Sequence, residues 1–565
     1  MVLARRGTMG LVLLVVACSG EEAPTPKASG CTTLAAKTVA CDSGNYDWHG
    51  LIPGPAEGSF DAALNDHATR LERQFHGLNA YGTHVTADLS VAPTRTEDRQ
   101  LITDFVAGSE WDFESFAGRS VVSAVDSFGK TAGMYAGAGV AADAFRYATL
   151  RDQGAACDDV ERARQYLDAD LDVLHMVTAI TGIPGGLARG FALTELPGEG
   201  ANTTTPLFDG SGAPLPTDKN NGTWRQDNSG GEFPGVIWED SCSRDMYSGW
   251  VLGYASAWEA IARDPAFAED KKQRLQADAR ALGHALMEVG EEGYDLEIKD
   301  PDGRRTYHGI LNENSIDRLY VDGAQNGFNG ILAVGIVAAL AYVSEDPELD
   351  AYLKKDLLAE RGLHRMARDN MLGVDLDVKS NYSSYNMAFI GGWLGTRYLC
   401  DEEARSVIRE AVETSLYARP GKDRQPLEQK QSYYDLTYVA AQSGSSAFRE
   451  PDAAVDEDAL ARAVESLTEL APPPYFAPTR VNCDDAEIAS GSCIADDGTE
   501  LELLGYVGRG NELVAAAPLP MRTRPPSNYY WRSNPYAVDS PSDGSPLYSG
   551  VDFRVAYWTA RYTKR

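Results

Sequence analysis

The sequence predicts an all-α protein made from two alternating classes of helix. Six segments, 134–148, 246–261, 326–342, 387–399, 433–443 and 551–562, are small, apolar and aromatic on every face, and a helix apolar all round is a buried one. Between and before them lie segments charged on one side only, 61–78, 159–178, 270–288, 348–370, 401–416 and 456–470, which read as helices with one wet face. No period-two strand run interrupts the alternation, and glycine occurs in most of the apolar members. The pattern therefore describes concentric helical layers rather than a bundle around one core.

Taken in order, residues 61–78 put Leu64, Leu71, Phe75 and Leu78 on one face, and residues 159–178 carry a single stripe of Val160, Ala163, Leu167, Leu171 and Leu174. Gly137 and Gly139 fall inside a helical segment, where close helix packing explains them; no dinucleotide G-x-G-x-x-G follows a strand. The stretch 193–226, rich in Gly, Pro, Thr and Asn, reads as a loop over one rim. Residues 472–546 form a second irregular region with an apolar stretch at 501–507. Its run Tyr529-Tyr530-Trp531-Arg532-Ser533-Asn534-Pro535-Tyr536 would expose its rings unless it crosses a mouth.

The first residues carry Arg5 and Arg6 and then an apolar core over 10–17, too short to span a bilayer of about 30 Å, so 1–17 read as a secretion signal. Val15-Val16-Ala17-Cys18 resembles a bacterial lipobox, which implies lipidation of Cys18; with Ser19 next, that resemblance favours the outer membrane. Residues 18–30 then form a tether, 31–565 the folded domain, and no second apolar run reaches membrane length. Membrane contact is expected through the lipid alone. With 51 basic and 83 acidic side chains the net charge is −32, which disfavours nucleic acid, whose binding needs Lys and Arg on phosphates.

Cys31/Cys41 and Cys483/Cys493 each span ten residues in polar loops and are expected to pair locally, leaving Cys157, Cys242 and Cys400. No C-x-x-C occurs and the histidines lack metal spacing, so no metal and no cofactor are expected.

The two-class alternation, with the runs Asp126-Ser-Phe-Gly-Lys-Thr-Ala-Gly-Met-Tyr135 and Thr181-Gly-Ile-Pro-Gly-Gly-Leu-Ala-Arg189, resembles the (α/α)6 toroid, the six-hairpin barrel of several glycosidase families and polysaccharide lyases. The resemblance covers about residues 60–565, lies in architecture rather than in a diagnostic motif, and implies a toroid with long irregular loops over one rim.

In such a fold the residues just before the inner helices converge. The densest polar stretch there is Trp238 to Trp250, a turn expected to contain no strand, with Ser243 placed to cap the following helix. Glycoside cleavage needs two carboxylates and flat aromatic platforms. Asp240 with either Glu313 or Asp322 supplies the pair; Trp238, Arg244, Asp245, Tyr247, His308, Asn312, Tyr385, Asn386, Tyr434, Trp531 and Arg532 supply contacts to a polysaccharide or oligosaccharide. His308 and Glu313 read as members of one loop. A lyase would use Tyr247 or His308 as base with Arg244 and Asn386 neutralising a uronate. The third reading is a catalytically silent toroid that binds glycan or protein. Ser243, Ser248 and Cys242 lack the setting of a nucleophile.

Overall fold

The computed structural model describes residues 33–34, 39–44, 47–371, 377–422, 424–478, 483–495, 497–524, 534–538 and 542–565. Within them the protein is mainly helical, with few and short strands. The six apolar segments are the helices Gly133–Asp152, Arg244–Ile261, Gly327–Ser344, Tyr382–Tyr398, Ser432–Gln442 and Val551–Tyr562, all buried over most of their length. The Gly327 helix has the length and apolar composition of a membrane span, which corrects the expectation that no such run follows the signal, yet 94% of it is buried in the protein. Its companions cover the faces that a bilayer would otherwise cover.

Glycine sets how closely these helices approach. A Cβ on Gly137 would lie 1.8 Å from the Gly249 carbonyl oxygen, so the Gly133 and Arg244 helices touch backbone to backbone. Gly133 abuts Trp250 and Gly253 abuts Val140, which makes the two helices run in the same sense. The Gly327 and Tyr382 helices repeat the contact, with a Cβ on Gly335 2.3 Å from the Gly391 oxygen and Tyr342 stacked on Tyr398 at 4.8 Å. Arg244 Nη1 donates to Asn329 Oδ1 at 3.2 Å, joining the first turns of the Arg244 and Gly327 helices. Phe389 stacks on Tyr434 at 4.1 Å, joining the Tyr382 and Ser432 helices. The Val551 helix packs on the Ser432 helix and also on the Gly133 helix, where Arg554 Nη2 lies 2.8 Å from Asp143. Each apolar helix thus touches the next in sequence, and the last touches the first.

The one-sided segments are helices too: Ala62–Gln74, Cys157–Ala179, Glu269–Met287, Glu402–Glu410 and Glu457–Glu469. Asp61, Asp401 and Asp456 cap three of them through their carboxylates, satisfying open first-turn amides. The segment expected as one helix over 348–370 is broken: Pro347–Ala351 and Tyr352–Glu360 end at Gly362, whose φ of +66° starts a new helix, Leu363–Asp369.

Strands appear where none were expected. Thr131–Ala132, Gly190–Leu193, Val236–Glu239 and Trp224–Gln226 form one antiparallel sheet in that order, with Gly190 opposite Glu239 and Arg225 opposite Trp238. The region 472–546 is not irregular throughout: Glu500–Tyr506 alternates exposed and buried residues between Ser492–Ile494 and Leu513–Ala515, over a small core of Leu501, Leu503, Leu513 and Val538.

Cys483 pairs with Cys493 as expected. The Cys31/Cys41 pairing is corrected: Cys41 bonds to Cys157, 116 residues away. Backbone hydrogen bonds from Asp42 to Ala155 and from Gly44 to Gly154 lay the chain's early segment beside the start of the Cys157 helix, which decides the partner. Cys400 is also disulfide-bonded, and Cys242 is a free, buried thiol. Cys18 and Cys31 lie outside the described residues.

Candidate functional site

The four-stranded sheet delivers two apolar helices to one end of the molecule, since Ala132 runs directly into the Gly133 helix and Glu239 precedes the Arg244 helix by four residues. It also sets an ionic chain across that end. Lys130 Nζ lies 2.6 Å from Glu239 Oε2 and Arg189 Nε 3.5 Å from the same oxygen. Arg189 Nη1 donates to Ser243 Oγ at 2.6 Å, and the Ser243 hydroxyl donates to Asp245. Ser243 therefore occupies the N-cap position without capping through its side chain, which corrects that expectation: its hydroxyl is committed to Arg189 and Asp245. Glu239 fits because Gly222, at φ +126°, has no Cβ; one would sit 2.4 Å from Glu239 Oε1. Nor is 238–250 free of strand, since Trp238 and Glu239 end the strand Val236–Glu239, with Trp238 Nε1 donating to the Gln226 carbonyl at 2.7 Å.

Asp240 turns away from this chain. It is 1% exposed and accepts from Arg225 Nε at 2.9 Å, from a second Arg225 nitrogen and from the Thr223 amide at 2.8 Å, with Lys219 3.8 Å away. Beside it Asp300 accepts from the Ser241 amide at 3.0 Å; burial, against the pull of Lys219, raises its carboxyl to about 6. Glu313 is likewise buried and clamped by Arg361, which also bonds Asp295, the acceptor for Asn312 Nδ2 at 2.9 Å. Asp322 is exposed and accepts from Tyr294. The three residues expected to share catalysis thus lie in three separate networks of named partners.

Arg244 is the expected residue best placed at the helix starts. It donates to Asn329 and to Asp317 Oδ1, each at 3.2 Å, and its guanidinium lies 5.7 Å above Phe328. Burial, opposed by Asp317, lowers its proton affinity. His308 Nδ1 reaches the same Asp317 oxygen at 3.0 Å, but from the strand Arg305–Ile310 rather than from a loop shared with Glu313. Tyr247 is 2% exposed with its hydroxyl on the Leu282 carbonyl, so it faces the neighbouring helix. Tyr385 accepts from Arg419 and stacks on Tyr382 at 5.6 Å; Tyr434 donates to Asn386 Oδ1. Trp531 and Arg532 lie outside the described residues.

Two acids at this end escaped the sequence reading. Asp552 stands in the first turn of the Val551 helix, 8% exposed, and burial, reinforced by the charge of Asp88, pushes its carboxyl up to about 7. Asp88 is exposed and its Oδ1 accepts from the Ser549 amide at 3.1 Å. The first turns of the six apolar helices together carry Tyr135, Asp245, Asn329, Tyr385, Tyr434 and Asp552.

Among the described residues, one buried group brings together metal-ligand atoms, Glu72, His76 and Asp143 within 4.8 Å of one another. Arg554 Nη2 already lies among them, 2.8 Å from Glu72 and Asp143 and 3.2 Å from His76 Nε2. A guanidinium takes the cation's place. Cys41 and Cys157, the other such group with Asp42, are spent on their disulfide.

Fold and site together define a mainly helical protein with polar and aromatic side chains gathered at its helix starts. No family model matches the chain, and no curated protein matches it. Among solved structures it is similar to endoglucanase CelQ from Clostridium thermocellum complexed with cellotetraose, at 11% identity and a TM-score of 0.32. The match covers 75% of this chain and 61% of that one, less than two thirds of the endoglucanase.

Proposed function

We propose that the chain is an (α/α)6 toroid, anchored to the bacterial envelope through Cys18, that binds and cleaves a polysaccharide at the rim formed by the starts of its six apolar helices. The observation that carries this reading is the closed order of contacts, in which each apolar helix touches the next and the Val551 helix returns to the Gly133 helix. Such an order gathers six first turns around one axis. Helix N-termini present open amides and a positive dipole end to whatever lies there, which suits hydroxyl-rich and anionic ligands. Half-buried Tyr135 gives a ring for a sugar face, and Asp245, Asp552 and Asp88 give carboxylates outside the ion pairs that hold Asp240 and Glu313.

The test is a polysaccharide panel incubated with the purified chain. New reducing ends support hydrolysis, whereas a product absorbing in the near ultraviolet reassigns the site to a lyase. The silent glycan-binding reading draws on the burial of Asp240 and Glu313 in ion pairs, and binding with no product would establish it over both enzyme readings.

A further inference from the structure

The six first turns are not equivalent in charge. Asp245 is tied to Ser243 by a hydrogen bond, and Glu239 behind it to Lys130 and Arg189 by ion pairs, so the carboxylates on that side of the rim are committed to side-chain partners. On the Val551 side, Asp552 is 8% exposed, and its carboxyl is bonded by the backbone amides of its own first turn, Asp552 and Phe553. Gly550, at φ +63°, turns the chain into the helix, and Asp88 is held beside that turn by the Ser549 amide at 3.1 Å.

The other charged groups on the elements packed here are engaged elsewhere. Glu72 of the Ala62 helix and Asp143 of the Gly133 helix both bind Arg554, and His67 stacks on Phe553 at 4.5 Å while its Nε2 meets the Tyr475 hydroxyl at 2.8 Å. Asp88 is thus the charge that acts on Asp552. One carboxyl buried in the first turn of the helix, and the other open to solvent at the turn that leads into it, is an arrangement that divides two acids into a proton donor and an anion.

We propose that Asp552 is the proton donor of the rim site and Asp88 its anionic partner, acting on a glycosidic bond laid across the start of the Val551 helix; this rests on the carbohydrate reading above. In the step, the Asp552 carboxylic acid gives its proton to the glycosidic oxygen as the bond from that oxygen to the anomeric carbon breaks. The Asp88 carboxylate takes a proton from a water whose oxygen bonds to the same carbon. One water is consumed, two hydroxyl products leave, and the proton returns from Asp88 to Asp552 through solvent.

Two measurements on the full chain test this apart from the reading it rests on. The first is esterification by a diazoacetamide, which reacts with protonated carboxyls and releases nitrogen, located by peptide mass at pH 6 and pH 9. Asp552 should be labelled at pH 6 and spared at pH 9. Absence of an Asp552 ester at pH 6 overturns the proposal whatever the activity.

The second compares wild type, Asp552→Asn and Asp552→Glu on whichever panel polysaccharide is cleaved. Asp552→Asn should lower kcat by roughly 10²–10⁴-fold with its melting temperature unchanged or raised, and the alkaline limb of the pH profile should disappear. Asp552→Glu should recover part of the rate. Cleavage by Asp552→Asn within tenfold of wild type overturns the proposal and leaves the carbohydrate reading standing. An Asp552 ester with no polysaccharide cleaved overturns the hydrolase reading and the catalytic role with it.

Discussion

Arg225 and Asp240 meet as a buried ion pair, each 1% exposed, with the arginine also donating to the carbonyls of Pro206 at 2.6 Å and Thr205 at 3.1 Å. The pair fastens the 193–226 insert to the strand before the Arg244 helix. Asp240→Asn should then cost about 3–5 kcal/mol, because it strands a buried guanidinium, and lower the melting temperature by several degrees. Thermal unfolding of Asp240→Asn, Arg225→Gln and Arg244→Gln checks it. Arg244→Gln should cost less than the other two, since its partner Asp317 has a side chain 54% exposed.

Asp170 is fully buried, and burial, then the charge of the neighbouring Asp143, with which it shares a hydrogen bond, holds its proton affinity well above the usual carboxylate range, against Arg554. The folded protein therefore keeps a proton that the unfolded chain releases above about pH 4, so this group lowers stability as pH rises from there through its folded value. Asp170→Asn keeps the neutral shape and removes the titration. Urea midpoints between pH 5 and pH 8 should fall less steeply for Asp170→Asn than for wild type, and at pH 8 the variant should be at least as stable. A steeper fall, or a lower midpoint at pH 8, contradicts this.

The two described disulfides close very different loops, 116 residues for Cys41–Cys157 and 10 for Cys483–Cys493. Loop-closure entropy gives the longer one about 5 kcal/mol and the shorter one about 2 kcal/mol less. Chemical denaturation of Cys41→Ser/Cys157→Ser beside Cys483→Ser/Cys493→Ser should show the larger loss in the first.

The helical layers were legible because an all-apolar segment such as 327–344 has no face left for water, and one-sided stripes such as Leu167, Leu171 and Leu174 have. Tertiary partners were not. Arg225 sits in an insert without periodicity, Arg361 lies 48 residues from Glu313, and Cys157 lies 116 residues from Cys41, so nothing local announces them. Glu239 was within the stretch that drew attention, yet its place depends on Gly222 lacking a Cβ. Asp552 was legible in principle, since the rule that singles out residues at the starts of apolar helices applies to the Val551 helix as it does to the others.

Cys18→Ser should convert the chain from a detergent-phase to an aqueous-phase protein on detergent partitioning of cell envelopes, as loss of a lipid anchor requires. Unchanged partitioning contradicts the anchor.

The most direct test of where function lies is hydroxyl-radical footprinting of the full chain with and without an oligosaccharide that the panel shows it to bind. Half-buried Tyr135 and Tyr548, at the starts of the Gly133 and Val551 helices, should lose reactivity, while half-buried Phe448, packed on Tyr342 near the end of the Gly327 helix at a ring distance of 5.5 Å, should not change. Protection of Phe448 with Tyr135 and Tyr548 unaffected would contradict a site at the helix starts.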